Sequence, residues 1–295
     1  MPEEGMSRRR MLGLGIAMTA GVVGTGCFTT ERDTTAAPSS PEPAAPTATA
    51  TGARPVVDKA VPPPANSPSI IAARYAGTPP QQWGTQMPGI TSTFTPTGKQ
   101  MALTFDACGG PGNNDIDQAL LDFLVAQQIP ATLFLNKRWI DANQGRAAQL
   151  AANPLFELAN HGVAHKPLSV NGRAAYGIAG TGSALEAAEE VSANHERLSG
   201  LLGRPPRFFR AGTAHYDDVA VRIVRDLGET PIGFSINVDY GATAAADRVA
   251  NAMNAAAPGA ISLAHMHRPR SGTAAGMIAA LPRVRAMGFT FVHLP

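Results

Sequence analysis

Asp106 closes a short apolar run, Ala102-Leu103-Thr104-Phe105, and is followed by Ala107-Cys108-Gly109-Gly110. A β-prone run ending in a carboxylate and a glycine pair is how a buried parallel strand delivers an acid to the mouth of a sheet or barrel. Gly109-Gly110-Pro111-Gly112 then lets the backbone turn tightly. A single strand-end Asp more often caps the next helix. What argues for chemistry here is its company. Leu155–Leu158 is followed by Asn160-His161-Gly162-Val163-Ala164-His165, and two histidines four apart on a helical turn can offer two imidazoles to one divalent metal. Phe208-Phe209 leads into Arg210, an always-charged donor suited to holding a carboxylate. Phe234–Val238 ends in Asp239-Tyr240, and Ile261–Ala264 ends in His265, with His267 two residues on. Asp106, His161, His165, Arg210, Asp239 and His265 thus fall at the same end of five expected strands. A carboxylate, a metal pair and a distal Asp–His couple suit metal-assisted hydrolysis.

The elements that must position these groups alternate from Lys99 onward. Strand-like runs cover 101–105, 131–135, 155–158, 207–210, 231–238, 260–265 and 289–293. Helix-like runs cover 116–127, 144–152, 183–202, 217–227, 247–256 and 273–287. In the first of these, Leu120, Leu121, Phe123, Leu124 and Val125 form a broad apolar stripe behind Asp117 and Gln118. Strands alternating with helices predict an α/β fold with a parallel sheet, a barrel or an incomplete one, whose strand C-termini build the active site.

Ahead of that domain the chain has a different character. Ser7-Arg8-Arg9-Arg10-Met11-Leu12 resembles a twin-arginine export pattern, and the apolar stretch behind it, Met11 to Val23, is short for a membrane span. It ends in Gly24-Thr25-Gly26-Cys27, which resembles a bacterial lipoprotein cleavage box apart from Gly24, where Leu or Val is usual. Residues 1–27 are therefore expected to be an export signal, with Cys27 lipidated. The protein is then held on the outer face of the cytoplasmic membrane; ordinary cleavage nearby would leave it secreted. Nine prolines lie between Pro38 and Pro68, and no aromatic residue occurs between Phe28 and Tyr75. Such a segment cannot bury enough apolar surface to offset its ordering entropy, so residues 28–68 are expected to be an extended tether. Residues 69–98, with Tyr75, Trp83 and Phe94, are expected to be a lead-in that packs on the outside of the domain at 99–295. The formal charge is +2, and without residues 1–26 (three Arg, two Glu) it is near +1 with no basic cluster, which gives no electrostatic argument for nucleic acid. Contact with a membrane is expected through the lipid anchor alone.

The order T-F-D, N-H-x-x-x-H, F-F-R, D-aromatic, L-x-H resembles the polysaccharide deacetylases of the NodB-homology type (carbohydrate esterase family 4), over about two-thirds of the chain from Lys99 to Pro295. The resemblance implies a distorted (β/α) barrel with fewer than eight complete units, agreeing with about seven parallel strands. It implies metal-dependent removal of acetyl groups from a peptidoglycan-like or related glycan, with a divalent ion, zinc expected. Carried over by residue, Asp106 matches the catalytic base, His161 and His165 the metal pair, and Arg210 the residue holding the base. Asp239 matches the acid orienting the second catalytic group, His265 the general acid, and Leu263 the wall of the acetyl pocket, with Tyr240 beside it.

Two departures bear on this reading. The family places a second Asp after the base as third metal ligand, where this chain has Ala107. Asp106, Asp115, Asp117 or water could fill the gap, and Ala107→Asp is expected to tighten binding if the backbone is shared. The Pro-rich groove segment after the Arg is replaced by Ala211-Gly212-Thr213-Ala214-His215-Tyr216, so His215 or Tyr216 is the expected replacement wall. Cys108 reads first as a small buried residue supporting the glycine turn, with soft metal ligand or reactive thiol as the functional alternatives. His195, among Glu189, Glu190 and Glu196, reads as part of a solvated face, and His293 as structural. Ala107 also motivates a second hypothesis, a degenerate non-catalytic member that binds cell-wall glycan. A third keeps the hydrolase but moves it to a non-sugar amide.

Overall fold

The computed structural model describes residues 66–295, and the expected export signal, Cys27 and all but the end of the tether lie outside the described residues. The described part belongs to one compact unit. In chain order it contains α1 (Pro68–Tyr75), β1 (Trp83–Gly84), β2 (Gln100–Ala107), α2 (Gln118–Ala126) and β3 (Ala131–Leu135). Next come α3 (Lys137–Ala142), α4 (Gln144–Ala151), β4 (Phe156–Asn160), α5 (Ala184–Leu202) and β5 (Phe208–Phe209). The chain continues through β6 (Tyr216–Asp217), α6 (Asp218–Asp226), β7 (Thr230–Pro231) and β8 (Ile236–Asn237). It ends with α7 (Ala246–Ala252), β9 (Ile261–His265), α8 (Thr273–Ala286) and β10 (Thr290–Val292). Side chains start several of the helices. Asp117 accepts from the Leu120 N–H, Ser183 from Glu186 and Asp217 from Ala220, each satisfying an orphan donor of the first turn. Among these helices none is long and apolar enough to cross a membrane.

The main sheet runs β7-β5-β4-β3-β2-β9-β8, every neighbouring pair parallel, with β10 pairing the first residues of β2. The expected strand at 231–238 is corrected: it is two short strands, β7 and β8, on opposite edges of the sheet. Laid flat, seven strands at about 4.8 Å would separate those edges by about 29 Å. The four residues between β7 and β8 reach about 18 Å at most. The sheet must therefore curl, and the result is an incomplete barrel. The lead-in helps cover its opening: Thr91 bridges to Ile232 and Thr93 to Ala260. Trp83-Gly84 pairs antiparallel with Tyr216-Asp217.

Side-chain alternation along β2 divides two apolar layers. Met101, Leu103, Phe105 and Ala107 join the cluster between the sheet and helices such as α2 and α8, with Leu120, Leu124, Trp139 and Met277. Ala102 points the other way, into a smaller cluster with Phe134, Ala159, Phe208, Ile232 and Ile261. Thr104 and Asp106 share that inward face, since one guanidinium, that of Arg210, reaches both. Buried on both sides, β2 has the near-continuous apolar composition expected of a central parallel strand.

A third cluster lies under α5 and α6, and α1 contributes Ile71 and Ala72 to it. The lead-in is thus seated on outer helices and fully buries Ile71. Ile71→Ala should lower the free energy of unfolding by about 2–5 kcal/mol, the usual range for removing a buried aliphatic side chain. Urea denaturation measures this, and a loss near zero would mean that α1 is not part of the folded unit.

Candidate active site

The parallel register lines up the expected groups along the C-terminal rim. Asp106 on β2 is the register partner of His265 on β9, and Asn160, just before His161, pairs with Phe209, just before Arg210. Asp239 follows β8 by two residues. Five strands thus converge on one cleft of ≈ 820 Å³ whose lining includes Asp106, Cys108, His165, Leu263, His265 and Tyr240.

Arg210 is fully buried beneath it. Its Nη1 donates to Asp106 Oδ1 at 2.7 Å and to Thr104 Oγ1 at 2.8 Å, and its Nη2 donates to the Gly233 carbonyl at 2.9 Å. The guanidinium also lies 4.1 Å above the Phe134 ring, a further electrostatic attraction for a desolvated cation. Its Nε is buried with no protein partner. The Arg210 carbonyl accepts from His161 Nδ1 at 2.8 Å. A carbonyl can only accept, so Nδ1 carries the proton and the lone pair is on Nε2. That Nε2 stands 3.6 Å from Asp106 Oδ2 and 3.9 Å from Cys108 Sγ.

His161 and His165 come together with ring centroids 4.9 Å apart, edge to face. They do so without the helical turn expected from their spacing. Residues 161–165 form an irregular loop after β4, and His165 has φ +59°. Glu190 on α5 shapes this loop by accepting N–H bonds from Val163, Ala164 and Lys166 at 2.9–3.3 Å. Burial pushes the Glu190 carboxyl upward, and those backbone donors oppose the rise. Gly212 lets the next strand end pass close by, for a Cβ there would stand 2.2 Å from the His165 backbone. One ligand atom each from Cys108, His161 and His165 lies within 4.8 Å of the others, the one such group among the described residues. Cys108 is buried, as expected of a packing residue, yet its side chain lines the cleft beside the histidines. Burial works against its ionisation. The His165 charge and hydrogen bonding with His161, His165 and His265 prevail, holding the thiol well below its ordinary range. Asp117 is committed to capping α2, and Asp115 lines a separate pocket near Arg270.

Across the cleft, His265 Nδ1 meets Asp239 Oδ1 at 2.8 Å. The other carboxylate oxygen accepts from the His265 backbone N–H at 2.7 Å and the Thr273 hydroxyl at 2.8 Å. Burial alone would lower the His265 value, but the Asp239 charge and hydrogen bond raise it well above the ordinary one. Asp239 is correspondingly held low against its own burial, chiefly by the His265 charge. His267 Nδ1 bonds the Asp106 carbonyl at 3.2 Å, and its ring lies 5.5 Å from that of His265.

Of the two expected groove residues, Tyr216 is corrected. It is fully buried, its hydroxyl accepting from the Ala211 N–H at 2.8 Å, and burial drives its pKa upward. His215 packs between Trp83 and Tyr176, at 5.7 and 5.3 Å. The cleft wall itself is made by Thr213, Ala214, Tyr176 and Ile178, with Arg138 and Arg268 also present. Tyr176 and Ile178 sit in an aperiodic, glycine-flanked loop, so no pattern marked them in the sequence. His195 is also corrected: its Nδ1 lies 2.8 Å from Glu229, fully buried at the side chain, so the solvated-face reading fails. His293 bonds the Leu155 carbonyl at 3.0 Å.

Because the Asp106–Arg210 pair is enclosed, removing one partner strands the other. Arg210→Met should cost about 3–5 kcal/mol of stability, the range for breaking a buried pair, and adding Asp106→Asn should return part of it. Urea unfolding of the double-mutant cycle measures this; strict additivity would contradict the coupling.

The polysaccharide deacetylase family model matches residues 94–232, which hold Asp106, His161, His165 and Arg210, while Asp239 and His265 lie beyond them. No curated protein matches the chain in sequence. Among solved structures, a family 4 carbohydrate esterase pseudoenzyme from Bacillus anthracis is similar at TM-score 0.59 and 20% identity, over 71% of this chain and 68% of that one. The peptidoglycan N-acetylglucosamine deacetylase Bc1960 is similar at TM-score 0.59 and 20% identity, over 70% and 91%. A family 4 acetyl xylan esterase from Clostridium thermocellum, bound to a cobalt ion, follows at TM-score 0.52 and 21% identity, over 66% and 88%. With the T-F-D, H-x-x-x-H and F-F-R motifs gathered at one rim, residues 94–232 are a polysaccharide deacetylase domain, as the motif resemblance to the NodB-homology type implies.

Proposed function

We propose that the cleft is the active site of a metal-dependent hydrolase that removes acetyl groups from an N-acetylated cell-envelope polysaccharide of the peptidoglycan type. The observation that carries the reading is the register pairing of Asp106 with His265 beside the Cys108, His161 and His165 cluster. A proton acceptor and a proton donor stand on adjacent strands, flanking a place where an acyl carbon can sit. The donors fit a divalent metal: His161 Nδ1 is taken up by the Arg210 carbonyl, which leaves Nε2 facing Cys108, and thiol and imidazole suit zinc. Such an ion, when bound, polarises an acyl oxygen and acidifies water. Asp106 accepts the proton of the attacking water, with Arg210 holding its carboxylate in place through the bond to Oδ1. His265, held protonated by Asp239, donates to the departing sugar nitrogen. Leu263 and the half-exposed Tyr240 offer apolar surface to the acetyl methyl group.

The competing reading is a glycan-binding member without turnover, favoured by Ala107 and by likeness to a structure described as a pseudoenzyme. A binding module has no need of a proton-transfer pair, and here both members are present with their orienting partners. Asp106→Asn and His265→Ala should each lower acetate release from acetylated glycan by about 10²-fold or more. Acetate release from the unmutated chain should stop with a strong chelator and return with zinc. Full activity in either variant removes the assignment, and absence of acetate from every acetylated glycan tested favours the binding module.

Export and anchoring complete the proposal. The box ending at Cys27 supports attachment to the outer face of the cytoplasmic membrane, and Cys27→Ala should move the protein from the membrane fraction to the soluble one. An unmutated protein already soluble outside the cell would contradict the anchor.

A further inference from the structure

A catalytic zinc takes three protein ligands and keeps one position open, and the family pattern draws one ligand from an acid where this chain has Ala107. We propose that the Cys108 thiolate is the third metal ligand, so that Cys108, His161 and His165 form a mixed sulfur–nitrogen site selective for a thiophilic divalent ion. The inference rests on the metal-dependent reading above and deepens it.

The alternation of β2 carries the argument. Ala107 is fully buried and belongs to the outward apolar cluster with Leu135 and Trp139. An acid there would be buried among apolar groups, so the expected gain from Ala107→Asp is corrected. Two positions beyond Asp106 on the same alternation stands Cys108, and its Sγ is 3.9 Å from His161 Nε2. Ligand atoms around a tetrahedral zinc are about 3.3–3.6 Å apart, given bond lengths of 2.0–2.3 Å. Closing 3.9 Å to that value needs a shift of a few tenths of an ångström. Gly109, next in sequence, holds the turn tight. It has φ +66°, and a Cβ there would stand 2.6 Å from the Trp139 backbone nitrogen. The other candidates stand apart from the Cys108, His161 and His165 group: Asp106 gives Oδ1 to Arg210, Asp117 caps α2, and Asp115 lines another pocket. A thiolate with two imidazoles favours zinc or cobalt over magnesium, calcium or manganese, which prefer oxygen.

Titration of the full chain with cobalt(II) tests this without reference to turnover. The unmutated protein should bind one equivalent and develop the near-ultraviolet charge-transfer absorption of a thiolate bound to cobalt. Cys108→Ala should lose that absorption and bind at least about 10-fold more weakly, since even disturbing a ligand's hydrogen-bonded support costs that much. Cys108→Ser, which keeps size and polarity, should behave likewise, and circular dichroism checks that both variants are folded. Cys27→Ala should leave the spectrum unchanged. Ala107→Asp should not tighten binding, and zinc should slow alkylation of Cys108 by iodoacetamide. One equivalent of cobalt bound without the absorption, or affinity unchanged in both Cys108 variants, overturns the thiolate ligand while leaving metal-dependent hydrolysis standing. Binding with the absorption but acetate release indifferent to chelator keeps the ligand and overturns the metal dependence of the hydrolysis. No metal bound by the unmutated chain overturns both.

Discussion

The buried guanidinium of Arg210 is the constraint on which the rim depends. A desolvated cation is tolerated only when surrounded by acceptors, and those acceptors come from several parts of the barrel. Thr104 and Asp106 belong to β2, Gly233 to the crossing between β7 and β8, and the Phe134 face to β3. The same residue's carbonyl fixes the His161 tautomer. One side chain and its peptide thus hold the carboxylate on one side and aim an imidazole on the other. Moving any of these strands would unpair a charge.

Two further polar networks support the histidine loop from behind. Glu190 gathers three N–H groups of residues 163–166. Asn160 donates to the Val191 carbonyl and to Glu229, and accepts from Gly162 and Asn194. Burial raises Glu229 to about 7 against the pull of His195 and Asn160. Buried networks of this kind are costly if partly broken, so they restrict the loop to one arrangement. That is how a segment with no regular structure can present two imidazoles at a defined separation.

The replacement at Ala107 then takes on a different meaning. Losing an acid would ordinarily suggest a lost metal site. With Cys108 as the proposed ligand, the donor is displaced by one position, from an outward-facing alanine to an inward-facing cysteine. The chemistry shifts with it, from a hard oxygen to a soft sulfur.

Strand ends, helices and the chemical groups at the rim were legible in the sequence because each is written locally. Period-two and period-3.6 patterns, a glycine pair after an acid and a charged residue after a phenylalanine pair need no knowledge of distant residues. The six groups named from those patterns do meet at one rim. What local pattern could not decide depended on contacts made far along the chain. The run at 231–238 reads as one strand until the curl of the sheet carries it from one edge to the other. The His161–His165 spacing reads as a helical turn until Glu190, on α5, bends it into a loop. His195 reads as exposed until Glu229 is folded beneath it, and Tyr216 as a groove wall until its hydroxyl is drawn inward. Cys108 reads as packing until β4 places two imidazoles beside its sulfur. Sequence determines which side chains are available and roughly where each element ends. Which of two faces a residue presents, and to which partner, is decided by closure of the sheet, because burial and long-range hydrogen bonds have no local signature.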